Sequence, residues 1–438
     1  MIEQVVHPHN LQKALKQVLS NKGSAGVDGI KTDVLRDYFR KNKVELLSGV
    51  KNQSYLPQAI LGLEIPKSNG KTRLLGIPTV TDRLLQQAVS QVLMQKYEFD
   101  FSNFSYGFRP NKNARQAVGR ALDFIHSGRT FIVDIDLKTF FDEVDHSLLL
   151  NLLYQRVKCP ATLRLIRKWL RAPIQINGKL YKRRKGVPQG SPLSPLLSNI
   201  LLNELDKELT RRKLHFVRYA DDFSIYTKSK SEATATMKAI SLFLKSKLSL
   251  TINKEKSGIR KPVQFQLLGF GFIPTYRKGA KGEYQLVVGK KAWTRLKVRL
   301  KQITKKTSPA SFNERIAKIK EVQRGWLSYF RGTNIKGKLE ELDGWIRNRL
   351  RYCIWHDWKK PERKRKNLIR LGIEQGKAYA WSRTRKGGWA VAQSPILITT
   401  ITLKRLKQRG YQSLSEIHEL LNPSFYEPPY TRPVRTVV

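Results

Sequence analysis

Acid at the end of an apolar strand is the feature that most restricts this fold. Phe131-Ile132-Val133-Asp134-Ile135-Asp136 sets four strand-forming apolar residues beside two carboxylates. That is a poor way to build a buried strand, because an unpaired buried charge is costly. Downstream, His215-Phe216-Val217 and Phe223-Ser224-Ile225-Tyr226-Thr227 flank Arg218-Tyr219-Ala220-Asp221-Asp222. Two strand-type runs about a tight polar turn spell a β-hairpin with adjacent carboxylates at its tip. Taken alone, an Asp pair in a turn is equally well explained by local bonding of its side chains to backbone amides. The acidic strand end changes that balance. A fold that brings it beside the hairpin clusters Asp136, Asp221 and Asp222, which repel one another unless a cation lies between them. A few carboxylates, retained waters and substrate phosphates suit Mg²⁺. Two such ions can hold the attacking and leaving oxygens of a phosphoryl transfer.

Charge names the class of partner. Lys and Arg number 83 against 34 Asp and Glu, a net charge of +49 over 438 residues. This exceeds what solubility needs and implies a polyanion. No apolar run approaches a membrane span, and Met1-Ile2-Glu3-Gln4-Val5 has neither a basic leader nor an apolar stretch, so nucleic acid rather than a membrane is expected. The cysteines are Cys159 and Cys353. They exclude a disulfide framework and a cysteine zinc knuckle, and point to a reducing, intracellular site. The length and 40% apolar content suit two or three domains with cores of their own.

Along the chain, Asn10 reads as an N-cap before Leu11, Ala14, Leu15, Val18 and Leu19 at helical spacing. Asn21 to Gly29 holds three glycines, either a simple turn or a loop for close backbone approach. Residues 61–78 read as a hairpin carrying Lys67, Lys71 and Arg73, a grip for a triphosphate or a merely exposed basic ribbon. Asp82 is the expected cap of the next helix, and Tyr106-Gly107-Phe108-Arg109-Pro110 a turn. Lys185 to Pro195 is a Gly/Pro/Ser loop opening a helix over 196–209, whose free N–H groups suit a phosphate or nucleotide. A helix near 231–247 and a short strand at 248–253, followed by Lys254 and Lys256, come next, then a strand pair over 266–272. Beyond residue 290 three amphipathic stripes predict a three-helix bundle. Seven of the eight Trp lie there, mostly as core anchors, with one or two able to stack on bases. Arg363-Lys364-Arg365-Lys366 is a basic run expected to touch phosphate. The tail from Ala378 reads as irregular, with a Pro-rich end over 423–433.

The order of these features resembles the reverse transcriptases: basic hairpin, acidic strand, Val187-Pro188-Gln189-Gly190 loop, Tyr219-Ala220-Asp221-Asp222 hairpin, a lysine after a short strand, and Leu268-Gly269-Phe270. It is most similar to the reverse transcriptase/maturases encoded by bacterial group II introns. The 21–29 loop, Tyr106 to Pro110, Pro188 to Pro195, Gly325 to Phe330 and Ile354 to Lys359 carry that resemblance over nearly the whole chain.

The resemblance implies an α/β right-hand polymerase, fingers and palm, followed by an all-α thumb/maturase domain and a small basic C-terminal DNA-binding region. The expected boundaries are an N-terminal extension over 1–60, fingers and palm over 61–288, thumb/maturase over 289–372 and DNA binding over 373–438. Matched residue by residue, Asp136, Asp221 and Asp222 take the catalytic, metal-holding places, with two Mg²⁺ and Mn²⁺ able to substitute. Lys256 matches the lysine that protonates the pyrophosphate leaving group. Lys67, Arg73, Phe141 and Gln189 match dNTP contacts, Phe141 as the bulky residue that excludes a ribose 2′-hydroxyl. The loop over 22–30 matches one that lies over the template, bringing Lys22 to RNA along with Arg363 to Lys366. The implied partners are group II intron RNA, an RNA template with a DNA primer, target DNA and dNTPs, in a bacterial cytoplasmic ribonucleoprotein; a homodimer is open. No His- and Cys-rich endonuclease segment is recognisable, which resembles the compact branch of the family. Two alternatives stand beside a polymerase that assists its intron. One is a splicing-only RNA binder, the other a domesticated reverse transcriptase used in defence or repair.

Overall fold

Two units make up the chain, Met1–Phe265 and Gln266–Val438, and the computed structural model describes residues 1–66, 70, 72–276 and 282–422. The first unit is α/β. Its strands are β1 (Ile60–Pro66), β2 (Thr72–Ile77), β3 (Phe131–Asp136), β4 (Ile174–Ile176), β5 (Lys179–Tyr181), β6 (His215–Tyr219), β7 (Asp222–Thr227) and β8 (Gly258–Arg260). They form two four-stranded sheets, in the orders β2-β1-β4-β5 and β6-β7-β3-β8.

The second sheet carries the acids and is antiparallel throughout. Ile132, Val133 and Ile135 of β3 and Phe223 and Ile225 of β7 are fully buried. The helix Lys230–Leu248 packs on β3 and β7, while Ala114–His126 and Ser194–Arg211 pack on β6. Burial on both sides forces register, since a one-residue slip would turn every apolar side chain over. The register that results sets Asp136 opposite Asp222.

Three local expectations are corrected. The first long helix runs Pro8–Ser20, starting before Asn10, because Pro8 supplies a helical φ and needs no N–H partner in a first turn. Asn10 instead donates to the carbonyls of Val5 (2.9 Å) and Ala88 (3.1 Å). Thr79, not Asp82, caps the helix Val80–Tyr97. Asp82 lies buried inside it and accepts from Tyr55 Oη (2.8 Å), Trp169 Nε1 (2.7 Å) and Thr79 Oγ1 (2.9 Å). Residues 248–253 form no strand: Ser249 turns left-handed at φ 55° to end the preceding helix, and only Ile252 makes an isolated bridge, to Leu137.

The second unit opens with a three-stranded antiparallel sheet of β9 (Gln266–Leu267), β10 (Phe270–Pro274) and β11 (Tyr284–Val288), in the order β11-β10-β9. The helices Lys290–Ile303, Phe312–Tyr329 and Lys336–Asp357 follow, burying Leu296, Leu300, Ile319, Leu339, Ile346 and Leu350 of the three stripes. The second is fixed at its start by a capping box of Ser311 and Glu314. Two expectations differ here. Of the seven Trp only Trp355 is fully buried, at 4% exposure; the other rings lie half-covered along helix faces. The tail is helical rather than irregular as far as it is described, in the short pieces Gln375–Ser382, Gly388–Ala392, Pro395–Ile398, Leu403–Gln408 and Leu414–Leu421. Such pieces are too short to show a period. Tertiary contacts hold them instead: Asp343 accepts from Leu414 N (2.7 Å), Ser415 N (3.0 Å) and Tyr411 Oη (3.0 Å). The Pro-rich end over 423–433 lies outside the described residues.

Candidate active site

The hairpin tip is moored from below. Ala220 takes φ 58° to turn the chain. Arg218, one step before Tyr219, is wholly buried and forks onto Asp206, with Nε to Oδ1 at 2.8 Å and Nη2 to Oδ2 at 2.6 Å. Its remaining nitrogen, Nη1, reaches Asn199 Oδ1 (2.9 Å) and the Ala220 carbonyl (3.0 Å). Asp206 and Asn199 both lie on the helix Ser194–Arg211, so a charged fork ties the turn to a rigid rod. Tyr106 and Gly107 line its other side. Tyr106 N donates to the Arg218 carbonyl (2.8 Å), and Asn199 Nδ2 to the Gly107 carbonyl (2.9 Å). A Cβ on Gly107 would stand 2.3 Å from Ala220 N, which is why this position takes no side chain.

Four carboxyls, Asp134, Asp136, Asp221 and Asp222, act on one another electrostatically around that tip. Asp136 ends β3 and pairs across the ladder with Asp222, and Asp221 precedes Asp222 at the turn. Lys256 Nζ reaches Asp136 Oδ2 at 3.2 Å, and Arg260 Nε reaches Asp134 Oδ2 at 2.7 Å. Burial, with the Asp136 charge adding to it, raises the Asp221 carboxyl pKa, while Arg73 draws it back. Asp222 is pushed up to about 7, by loss of water around its carboxyl and by the charges of Asp134, Asp221 and Asp136. Solvent still reaches this side chain, so charge repulsion is the firmer of the two causes. Among the described residues no three acid, His or Cys groups stand close enough together to hold a metal ion. The donor set nevertheless fits one: hard carboxylate oxygens, mutually repelling, with no basic group among the described residues acting on Asp222.

A cavity of about 470 Å³ in the first unit gathers Arg73, Phe141 and Gln189. The Lys185 to Pro195 loop makes this wall. Val187 N donates to the Phe141 carbonyl and Gly186 N to that of Val144, each at 2.7 Å. Gly186 sits at φ 86°, where a Cβ would meet the Asp142 carbonyl at 2.8 Å. Gly76 N donates to the Gln189 carbonyl (2.9 Å), and Arg73 Nε donates to the Gln189 side chain. Arg73 thus faces both the cavity and Asp221. Lys67 lies outside the described residues. Sequence reading missed Arg83 and Gln87, which also line the cavity. Arg83 Nη2 holds the Ser24 carbonyl at 2.6 Å, so the 21–29 loop is pinned against the cavity's edge and contributes Asn21 and Gly23 to it. Lys22 is exposed on that loop. The basic run lies on the helix Pro361–Arg370 and is not uniform. Arg363 and Lys366 are exposed, Lys364 stacks over Trp355 at 4.5 Å, and Arg365 pairs with Glu362 at 3.2 Å.

Comparison with known proteins decides the family. The model of the family "Reverse transcriptase (RNA-dependent DNA polymerase)" matches residues 65–272, and that of "Group II intron, maturase-specific domain" matches residues 293–372. Protein YkfC of Escherichia coli K12 is 31% identical over 303 residues, 59% of this chain and 78% of YkfC. The group II intron-encoded protein LtrA of Lactococcus lactis is 36% identical over 215 residues, 49% of this chain and 36% of LtrA. The chain belongs to the group II intron reverse transcriptase/maturase family. A retron reverse transcriptase of Myxococcus xanthus is more distant, 27% identical over 208 residues, 45% of this chain and 47% of its own. The two matched regions give the chain a reverse transcriptase part and a group II intron maturase part. Every member of the acid cluster, from Asp134 to Asp222, lies inside the matched reverse transcriptase region. So do Arg218, Asp206 and Arg83. Sequence reading missed all three because their weight comes from burial and partners, not from spacing. Arg218 was in view beside the Asp pair, and a charged residue inside an apolar strand run was the signal available.

Proposed function

We propose that this chain extends a DNA primer on an RNA template, using dNTPs, and that its second unit holds group II intron RNA. The observation that carries the polymerase reading is the ladder register that sets Asp136 opposite Asp222, with Asp221 beside it and Arg73 facing both Asp221 and the cavity. In this reading the sheet of β1, β2, β4 and β5 belongs to the fingers and that of β6, β7, β3 and β8 to the palm. The helices from Lys290 to Asp357 are the thumb, and the short helices beyond residue 373 are the DNA-binding part. Asp136, Asp221 and Asp222 would hold two Mg²⁺, which would supply a lowered pKa for the primer 3′-hydroxyl and counter-charge for the pyrophosphate. Arg73 and the Gln189 amide orient the triphosphate. Phe141 closes the space a 2′-hydroxyl needs. Lys256, 3.2 Å from Asp136, donates a proton to the leaving pyrophosphate.

Primer extension on an RNA template tests this. The Asp221→Asn/Asp222→Asn variant is expected to lose roughly a hundred-fold or more in rate, the scale for removing a charge-stabilising group from a reaction site. Wild-type synthesis surviving unchanged in that variant sinks the assignment. A second reading, a maturase that assists splicing without polymerising, draws on the match of residues 293–372 to the group II intron maturase-specific domain. It predicts tight intron binding by wild type and variant alike, with no cDNA from either.

A further inference from the structure

The second unit carries an aromatic and basic groove that the polymerase chemistry does not use. It lies along the helices Lys290–Ile303 and Lys336–Asp357, closed on one side by the short helix Gly388–Ala392. Its central cavity of about 590 Å³ is lined by Trp345, Tyr352, Trp389, Arg349, Lys297 and Lys301. No acid stands among the described residues lining that cavity. Two smaller cavities continue it, one past Trp293 and Lys338 and the other past Lys305 and Lys306.

The groove is built rather than incidental. Arg349 donates to the carbonyls of Thr304 (2.6 Å) and Lys301 (3.2 Å) and to Thr304 Oγ1 (3.1 Å). The last carbonyls of the Lys290–Ile303 helix, at the negative end of its dipole, therefore hold the guanidinium in place. It lies 5.7 Å from the ring centres of both Trp345 and Trp389. Trp389 meets Tyr352 edge-on at 5.7 Å and 78°. Lys297 stands 5.4 Å from the Trp345 ring, and Lys306 5.3 Å from Tyr352. All three rings are half-buried, anchored at one edge and reachable at the other. A half-covered ring beside a fixed cation is a platform for a flat, polarisable group. Lysines spaced along the rim suit a chain of phosphates. A base inside a duplex has both faces occupied, so the platform selects an unpaired strand.

We infer that this groove binds an unpaired stretch of RNA, its bases stacked on Trp345, Tyr352 and Trp389 and its phosphates on the flanking lysines. The choice of RNA rests on the proposed RNA-holding role of this unit. The stacking itself goes beyond that role, which phosphate contacts alone would satisfy.

The test is fluorescence anisotropy with the full chain against labelled oligo(rA), oligo(dA) and a blunt RNA duplex of equal length. Trp389→Leu is expected to weaken oligo(rA) binding about ten-fold, the scale of one lost base–aromatic stack, and to leave the duplex unchanged. Trp389→Phe should recover most of the loss. Lys297→Gln with Lys301→Gln should reduce the slope of log affinity for oligo(rA) against log salt by about 0.7 for each lysine. A folded Trp389→Leu that binds oligo(rA) as wild type does, an equal loss on the duplex, or tighter binding of oligo(dA) than oligo(rA) each overturns the inference. If Trp389→Leu fails to fold, the exposed lysine pair decides, and an unchanged salt slope overturns it. Tight binding of group II intron RNA with indifference to oligo(rA) defeats this inference alone. Failure to bind either RNA defeats the RNA-holding role as well.

Discussion

Asp222 bears the electrostatic cost of the acid cluster. Its carboxyl sits near pKa 7, against an ordinary 3.8. Between those values the folded chain keeps a proton that the unfolded chain has released, so stability falls as pH rises through the window. Asp222→Asn removes that loss. The metal-free variant should therefore melt above wild type at pH 8 and level with it below about pH 4, which calorimetry over pH would read. Adding Mg²⁺ at pH 8 should raise the wild-type Tm but not that of the variant. Phe141 carries a separate prediction. Trimming it to Ala should raise ribonucleotide incorporation about ten- to hundred-fold, since shape alone discriminates on that scale; misincorporation assays on an RNA template would measure it. The Asp pair was legible from the hairpin pattern, and Phe141 only from the resemblance to the reverse transcriptases. The shifted carboxyl was not, because it depends on a cross-strand register and on Asp134 sitting in the same field.

A hairpin tip is as well placed as what it rests on. Here the support is a buried ion pair, Arg218 at 0% and Asp206 at 1% side-chain exposure. Leaving one charge of such a pair without its partner costs about 3–5 kcal/mol. Asp206→Asn should lower unfolding free energy by that order in urea and reduce polymerase activity in step, as the tip loses its mooring. The strands and long helices of the site were readable as elements, since their apolar periods are long and clear. Their ends were not. Asn10 and Asp82 both looked like caps, yet Pro8 and Thr79 begin those helices, because a capping residue is recognised only once the chain before it has turned.

At the scale of the whole chain, a charge of +49 works against folding and toward binding. Salt shortens the reach of that self-repulsion, to about 10 Å at 0.1 M and less above it. The Tm of the RNA-free protein should rise with NaCl while affinity for RNA falls. Opposite signs in one titration, followed by melting and by filter binding, would separate the two effects.

Composition and motif order by themselves determined a nucleic-acid partner, a family and three candidate aspartates, because charge and short motifs survive in one dimension. Only the tertiary structure decided that Arg218 is a buried strut, that Arg83 pins the 21–29 loop to the cavity, and that most of the second unit's Trp rings stay half-open. Each depends on which distant surface comes to cover a side chain. That is settled by packing among elements far apart in the chain, on which local pattern is silent.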